Sequence, residues 1–163
     1  MSGIEVINGV VHRYSELPWV YDDGGRADSG RRGLAGDCVA RAVAIASGRP
    51  YDEVYRALAA GNAQERGKRS TGRRTAREGI HTGRSWFKDY MASLGFRWVP
   101  TMGIGTGCRV HLRQGELPGG RLVVTLSHHV VAVIDGVVHD TGDPSRGGTR
   151  CVYGYYLTGP CGV

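Results

Sequence analysis

The chain has 163 residues and a mass of 17.5 kDa, which is room for one domain of ordinary size and not for a multidomain assembly. Hydrophobic residues make up 40% and no apolar run approaches the roughly 20 residues of a membrane-spanning helix, so a globular chain without a membrane partner is expected. The net charge of +6 is arginine charge, nineteen arginines against two lysines, and five of the six net positive charges fall between Gly61 and Arg84; a surface built throughout to hold nucleic acid is thereby excluded.

The first residues, Ile4 to Tyr14, alternate around Asn8-Gly9, a pair suited to a two-residue β-hairpin turn. They show no basic start followed by an apolar stretch, so the expected compartment is the cytoplasm. Tyr21 to Gly36 is rich in Gly, Asp and Arg and reads as a loop with little to bury. Cys38 to Ala46 (CVARAVAIA) then predicts a helix that starts behind Asp37, a good N-cap residue, and is apolar or small on nearly every face, as an interior helix is. Tyr51 to Ala60 predicts a second, amphipathic helix carrying Tyr51, Val54 and Leu58, with Gly61 as its stop.

The segment 61–84 is polar and basic, with Ile80 its one large aliphatic residue, and is expected to be a mobile loop. Ser85 is placed as the cap of a third helix with Trp86, Tyr90 and Leu94 on its stripe and Gly95 at its end. The period then changes to that of strands at Phe96–Val99, Leu122–Leu126, His129–Ile134, Val137–Asp140 and Cys151–Leu157. Helices first and an antiparallel sheet second is the pattern of a single α+β domain spanning residues 1–163. The likeness of Val6–His12 to Val133–His139 is shared hairpin chemistry and not a repeat. Gly103 to Gly107 lacks both the strand-to-helix setting and the lysine of a phosphate-binding loop.

Cys38 carries the most chemistry. A cysteine in the first turn of a helix faces unpaired N–H groups and the positive end of the helix dipole, which stabilise a thiolate. The backbone N–H groups of Gly36, Asp37 and Cys38 are also placed to hold the oxyanion formed when a thiolate attacks a carbonyl. For a lone cysteine the plain alternative is a small residue chosen for packing, so a histidine partner must decide. With Asp135-Gly136 as a two-residue turn, Ile134 opposes Val137 and positions summing to 271 pair. His129 and Asp140 are then diagonal neighbours on one face, within reach of an imidazole and a carboxylate. His128 and Asp143 make a second conceivable pair on the other face, ranked lower because Gly142 and Pro144 interrupt the strand.

Gly36-Asp37-Cys38-Val39-Ala40-Arg41-Ala42 resembles the nucleophile motif of ovarian-tumour-type deubiquitinases, and His129–Ile134, a turn and Asp140 resemble the histidine hairpin of bacteriocin-leader peptidases. Both families belong to the papain-like cysteine peptidase superfamily, and the order Cys, His, Asp is kept here. The resemblance spans about Gly36 to Asp143 and implies a papain-like fold, a central nucleophile helix packed on the sheet, and a cysteine peptidase or amidase acting on a protein or peptide. Ala35 stands where the ovarian-tumour pattern has Asp, and Arg32 where papain has an oxyanion-binding Gln, so the oxyanion hole is expected to be backbone. Arg41, one turn beyond Cys38, is expected to hold a carboxylate such as Asp37 or Asp140.

The four cysteines show no metal spacing and are expected as free thiols, mostly buried, with no metal or cofactor implied. A reading from another class is a binding module of the same fold without turnover, whose arginine-rich segment 61–84 contacts an acidic protein or nucleic acid.

Overall fold

The computed structural model describes residues 4–7, 10–13, 17–30, 37–64 and 80–158, the first two stretches as backbone only. It is an α+β arrangement of three helices and a six-stranded mixed sheet beside a separate two-stranded one. β1 (Ile4–Ile7) and β2 (Val10–Arg13) pair antiparallel with Ile7 opposite Val10, the register an Asn8-Gly9 turn demands; the turn itself lies outside the described residues.

The large sheet has the order β3-β7-β6-β5-β8-β4, formed by β3 (Trp19–Tyr21), β4 (Phe96–Pro100), β5 (Arg121–Leu126), β6 (His129–Ile134), β7 (Val137–Asp140) and β8 (Val152–Thr158). The β6–β7 hairpin has the expected register, Ile134 with Val137 and Ala132 with His139. Asp135 and Gly136 both have positive φ, 47° and 78°, which the tight turn requires and which Asx-Gly supplies at little cost. The sheet is not wholly antiparallel, because β3 runs parallel to β7 along its edge. The sequence reading misses β3: its three residues are all exposed and show no alternation, and its partner lies more than a hundred residues away.

α1 (Cys38–Ser47) is buried on nearly every side, its alanines letting it lie close against β5, β6 and α2 (Tyr51–Ala63). Gly48, at φ 72°, ends it by donating its N–H to Ala44 O at 3.0 Å. Val43, Val54, Leu58, Phe87 and Met91 are fully buried with Val123, Val130, Ala132 and Tyr156 from the facing sheet. Each large side chain of this kind contributes about 1.5–3 kcal/mol by leaving water.

Gly61 does not stop α2. The helix runs two residues beyond it, and the missing side chain at Gly61 leaves room for Trp86, whose ring a Cβ there would meet at 2.3 Å. In α3 (Ser85–Ser93) the N-cap is Arg84 rather than Ser85, and the buried stripe is Phe87 and Met91, with Trp86 and Tyr90 half-buried at its side. The loop after β3 buries more than expected: Gly24, at φ 69°, lies so near Arg41 that a Cβ would come within 3.1 Å of its carbonyl oxygen.

The other face of the sheet is covered by residues 101–120, where Leu112 is fully buried against Leu122, Val124, Val131 and Val133. Leu112 N–H donates to Arg150 O and Val152 N–H to Val110 O, both at 2.8 Å. Cys108 and Cys151 are joined in a disulfide there, which corrects the expectation of free thiols. Cys108 is exposed rather than buried, Cys38 is free, and Cys161 lies outside the described residues. Spacing along the chain carries no information on the two sulfurs meeting across 43 residues.

Candidate active site

Cys38 is the first residue of α1, and the first helical bond, Arg41 N–H to Asp37 O at 3.1 Å, leaves the N–H groups of the opening turn without partners in the helix. His129 opens β6 and Asp140 closes β7, so the hairpin brings both to one end of the sheet, where the head of α1 also lies. The imidazole Nε2 of His129 is 2.6 Å from Asp140 Oδ2, and the ring lies near enough to the Cys38 thiol that each shifts the other's titration. With Nε2 engaged by the carboxylate, Nδ1 is the nitrogen left for the sulfur. The three expected residues therefore stand together at one end of the sheet.

Each group is biased toward its charged form. Burial pushes the Cys38 thiol up, but the hydrogen bond and charge of His129, the Val130 N–H and the Arg41 guanidinium outweigh it, leaving the thiol below its ordinary value. The hydrogen bond to the Asp140 carboxylate, followed by the interaction with Cys38, raises His129 to about 9 against the desolvation that lowers it. For Asp140 burial again acts upward and is overcome by the hydrogen bond and charge of His129, by the Thr141 N–H and by Arg41, so its carboxyl titrates below the usual range.

Asp140 is held from every side. Its Oδ1 accepts the Thr141 N–H at 2.7 Å and faces Arg41 Nη2 at 3.5 Å. Its backbone carbonyl accepts the Asp22 N–H at 3.0 Å and the Trp19 indole N–H at 3.1 Å, contacts supplied by the unexpected strand β3 and the residue after it.

Asp37 differs from its expected role. It sits at the N-cap position, yet its side chain makes no cap hydrogen bond. The fully buried carboxylate instead accepts Arg41 Nη1 at 2.7 Å and the Tyr51 hydroxyl, with Arg26 Nε at 3.3 Å. A buried charge needs such partners more than a helix end needs a cap. Arg41 thus touches both carboxylates the sequence offered it, Asp37 and Asp140. Gly36, the remaining expected oxyanion donor, lies outside the described residues.

His128 and Asp143 do not form the second pair. His128 sits at φ 55° in the turn between β5 and β6, and Asp143 Oδ1 accepts the Ser145 N–H at 3.0 Å. Both border a smaller cavity of about 350 Å³ on the Asp140 side, and His128 lines the main cleft as well. The main cleft, about 720 Å³, opens onto Cys38 and His129. One wall is Thr125, Leu126 and His128; the other is Ile80 to Arg84, the end of the segment expected as a basic loop. That expectation is corrected at its start, since 61–63 is helix; 80–84 has neither helix nor strand and forms cleft wall, and residues 65–79, with most of the positive charge, lie outside the described residues.

Sequence reasoning singled out His128 but not Ile80 to Arg84 as cleft wall, because a polar run shows no periodicity, and it passed over Arg26 and Tyr51 as holders of Asp37. No protein-family model, no curated protein and no solved structure matches the chain, so the site is interpreted on its own geometry.

Proposed function

We propose that the chain is a papain-like cysteine hydrolase cleaving an amide or isopeptide bond of a peptide or protein. The observation that carries this reading is that Cys38 and His129 line one open cleft, with Asp140 2.6 Å from the His129 ring. A helix-head thiolate, an imidazole beside it and a carboxylate fixing that imidazole are the parts nucleophilic acyl transfer needs.

In this reading the Cys38 thiolate attacks the substrate carbonyl carbon. The resulting oxyanion is met by backbone N–H groups at the head of α1, from Cys38 and from the Gly36–Asp37 turn before it. The His129 imidazolium protonates the leaving nitrogen as the C–N bond breaks, and a thioester to Cys38 remains. His129, now neutral, takes a proton from water, which attacks the thioester; the carboxylic acid departs and the sulfur leaves as thiolate. Asp140 holds the ring in orientation and favours its cationic form throughout.

Thiolate and imidazolium coexist between the lowered titration of Cys38 and about pH 9. Below this window the sulfur is protonated and loses nucleophilicity; above it the ring can no longer donate to the leaving group. The cytoplasmic setting expected from the sequence stands against the Cys108–Cys151 bridge, since disulfides persist in oxidising surroundings, and the bridge is the more direct observation.

Iodoacetamide labelling at pH 6, read by peptide mass spectrometry, tests the proposal. An ordinary thiol is only about 0.3% thiolate at that pH. Cys38 is expected to react far faster than Cys161, and His129→Ala to remove the advantage. Equal rates at Cys38 and Cys161 in the unaltered protein would overturn the hydrolase reading.

A further inference from the structure

Cys38 belongs to a helix, while His129 and Asp140 belong to a hairpin more than ninety residues later in the chain. A sulfur and an imidazole on separate elements need something to hold their register. Arg41 is on α1, one turn beyond Cys38, and its guanidinium reaches Asp37 Oδ1 at 2.7 Å on its own helix and Asp140 Oδ1 at 3.5 Å on β7. It is 5% exposed and lines neither cavity, so it has no route to a substrate. Asp37 is itself fixed by Arg26 and by the Tyr51 hydroxyl from α2. The result is a buried chain, Asp37–Arg41–Asp140–His129, running from the helix that carries the nucleophile to the hairpin that carries the base.

We propose that Arg41 is a positioning residue that locks Asp140, and through it the His129 ring, to the head of the nucleophile helix by bridging Asp37 and Asp140. This rests on the hydrolase reading. The bridge depends on shape as well as charge: a planar guanidinium addresses two carboxylates at fixed separation, whereas an ammonium is a single point charge with a shorter reach. Lysine at this position keeps the positive charge that Asp37 needs and loses the second contact.

The titratable and charged groups around the His129 ring are Cys38 and Arg41 on α1, Asp140 on β7, His128 beside it in the turn, and Arg150 on the wall of the smaller cavity. Arg41→Lys alters the geometry of one of them and the charge of none. A residue serving only to stabilise the fold would change the unfolding midpoint and leave the titration of the site alone.

The test compares wild type with Arg41→Lys by circular dichroism, by iodoacetamide labelling of Cys38 against pH, and by NMR titration of the histidine rings. The folded Arg41→Lys protein is expected to label at Cys38 about tenfold more slowly at pH 6, the effect of raising the thiol by one pKa unit. The His129 midpoint is expected to fall from about 9 toward its ordinary 6.5. Wild-type values for both, in a folded variant, would overturn the proposal and leave the hydrolase reading standing. Should Cys38 prove unselective already in wild type, the hydrolase reading falls, and the His129 midpoint alone decides the bridge: a drop in the variant supports it and no change overturns it. If Arg41→Lys does not fold, Asp37→Asn/Arg41→Gln removes one charge of each sign together, and its shorter amide cannot span to Asp140; the same two readouts and the same outcomes apply.

Discussion

On one face of the large sheet, α1, α2 and α3 press alanines, valines and aromatic rings against β5, β6 and β8; on the other, residues 101–120 cross without a helix, and Leu112 fills the centre. The helical face is set by regular backbone, so a side chain at the start of α1 has a defined position and can serve chemistry. The loop-covered face has a short run of backbone bonds to Arg150 and Val152, one isolated bridge between His111 and Cys151, and a disulfide beside it. Repetitive packing fixes the first face; a covalent clamp fixes the second.

Removing the clamp is the strongest way to break this contrast. The bridge closes a loop of 43 residues, and limiting the freedom of such a loop in the unfolded chain amounts to about 4 kcal/mol. Cys108→Ser/Cys151→Ser is therefore expected to lower the unfolding free energy measured in urea by that order. Amide exchange at Leu112 and Val152 should accelerate beyond the change seen in α1. Unchanged stability, or acceleration equal on both faces, would show that the loop holds itself in place.

A smaller effect is expected on the helical face at Gly154, whose place in β8 exists because Trp98 lies across it. A Cβ there would come within 2.3 Å of the Trp98 ring and 3.0 Å of Val99 O. Since interiors resist added volume, Gly154→Ala should cost about 1–3 kcal/mol. Much of that loss should return in Gly154→Ala/Trp98→Leu, where the ring is gone. A neutral single substitution would mean that this face yields as easily as the loop side.

The same contrast explains what the sequence reveals. The β6–β7 register was legible because Asp135-Gly136 pins the turn and alternation does the rest, and the meeting of His129 with Asp140 follows from it. α1 was legible from its alanines and from Gly48 beyond its end. Local patterns of this kind reach one partner of the Asp37 carboxylate, Arg41 a turn away, but not Arg26 or Tyr51, which come from elsewhere in the chain. Nor do they reach β3, which is held by a distant strand, or residues 101–120, whose only strong signal, Leu112, is a single residue. Gly61 misleads for a related reason: glycine stops many helices, but here it serves the packing of Trp86 from α3.

Tyr156 offers the smallest test, and its sign runs the other way. Its ring joins Phe87, at 5.6 Å and nearly edge-on, to Trp98 at 5.0 Å, so it belongs to the aromatic centre of the helical face. Its hydroxyl has no hydrogen-bond partner among the described residues, and burial pushes its titration up to about 12. A buried donor left unpaired costs folding free energy, and taking it away while keeping the ring removes that cost. Tyr156→Phe is expected to stabilise the protein by about 1 kcal/mol in urea unfolding, within the usual range for such groups. A loss of similar size would mean that the hydroxyl is satisfied, by water or otherwise, and that the helical face is held by a polar contact as well as by packing. The contrast with the clamped face would then be one of degree.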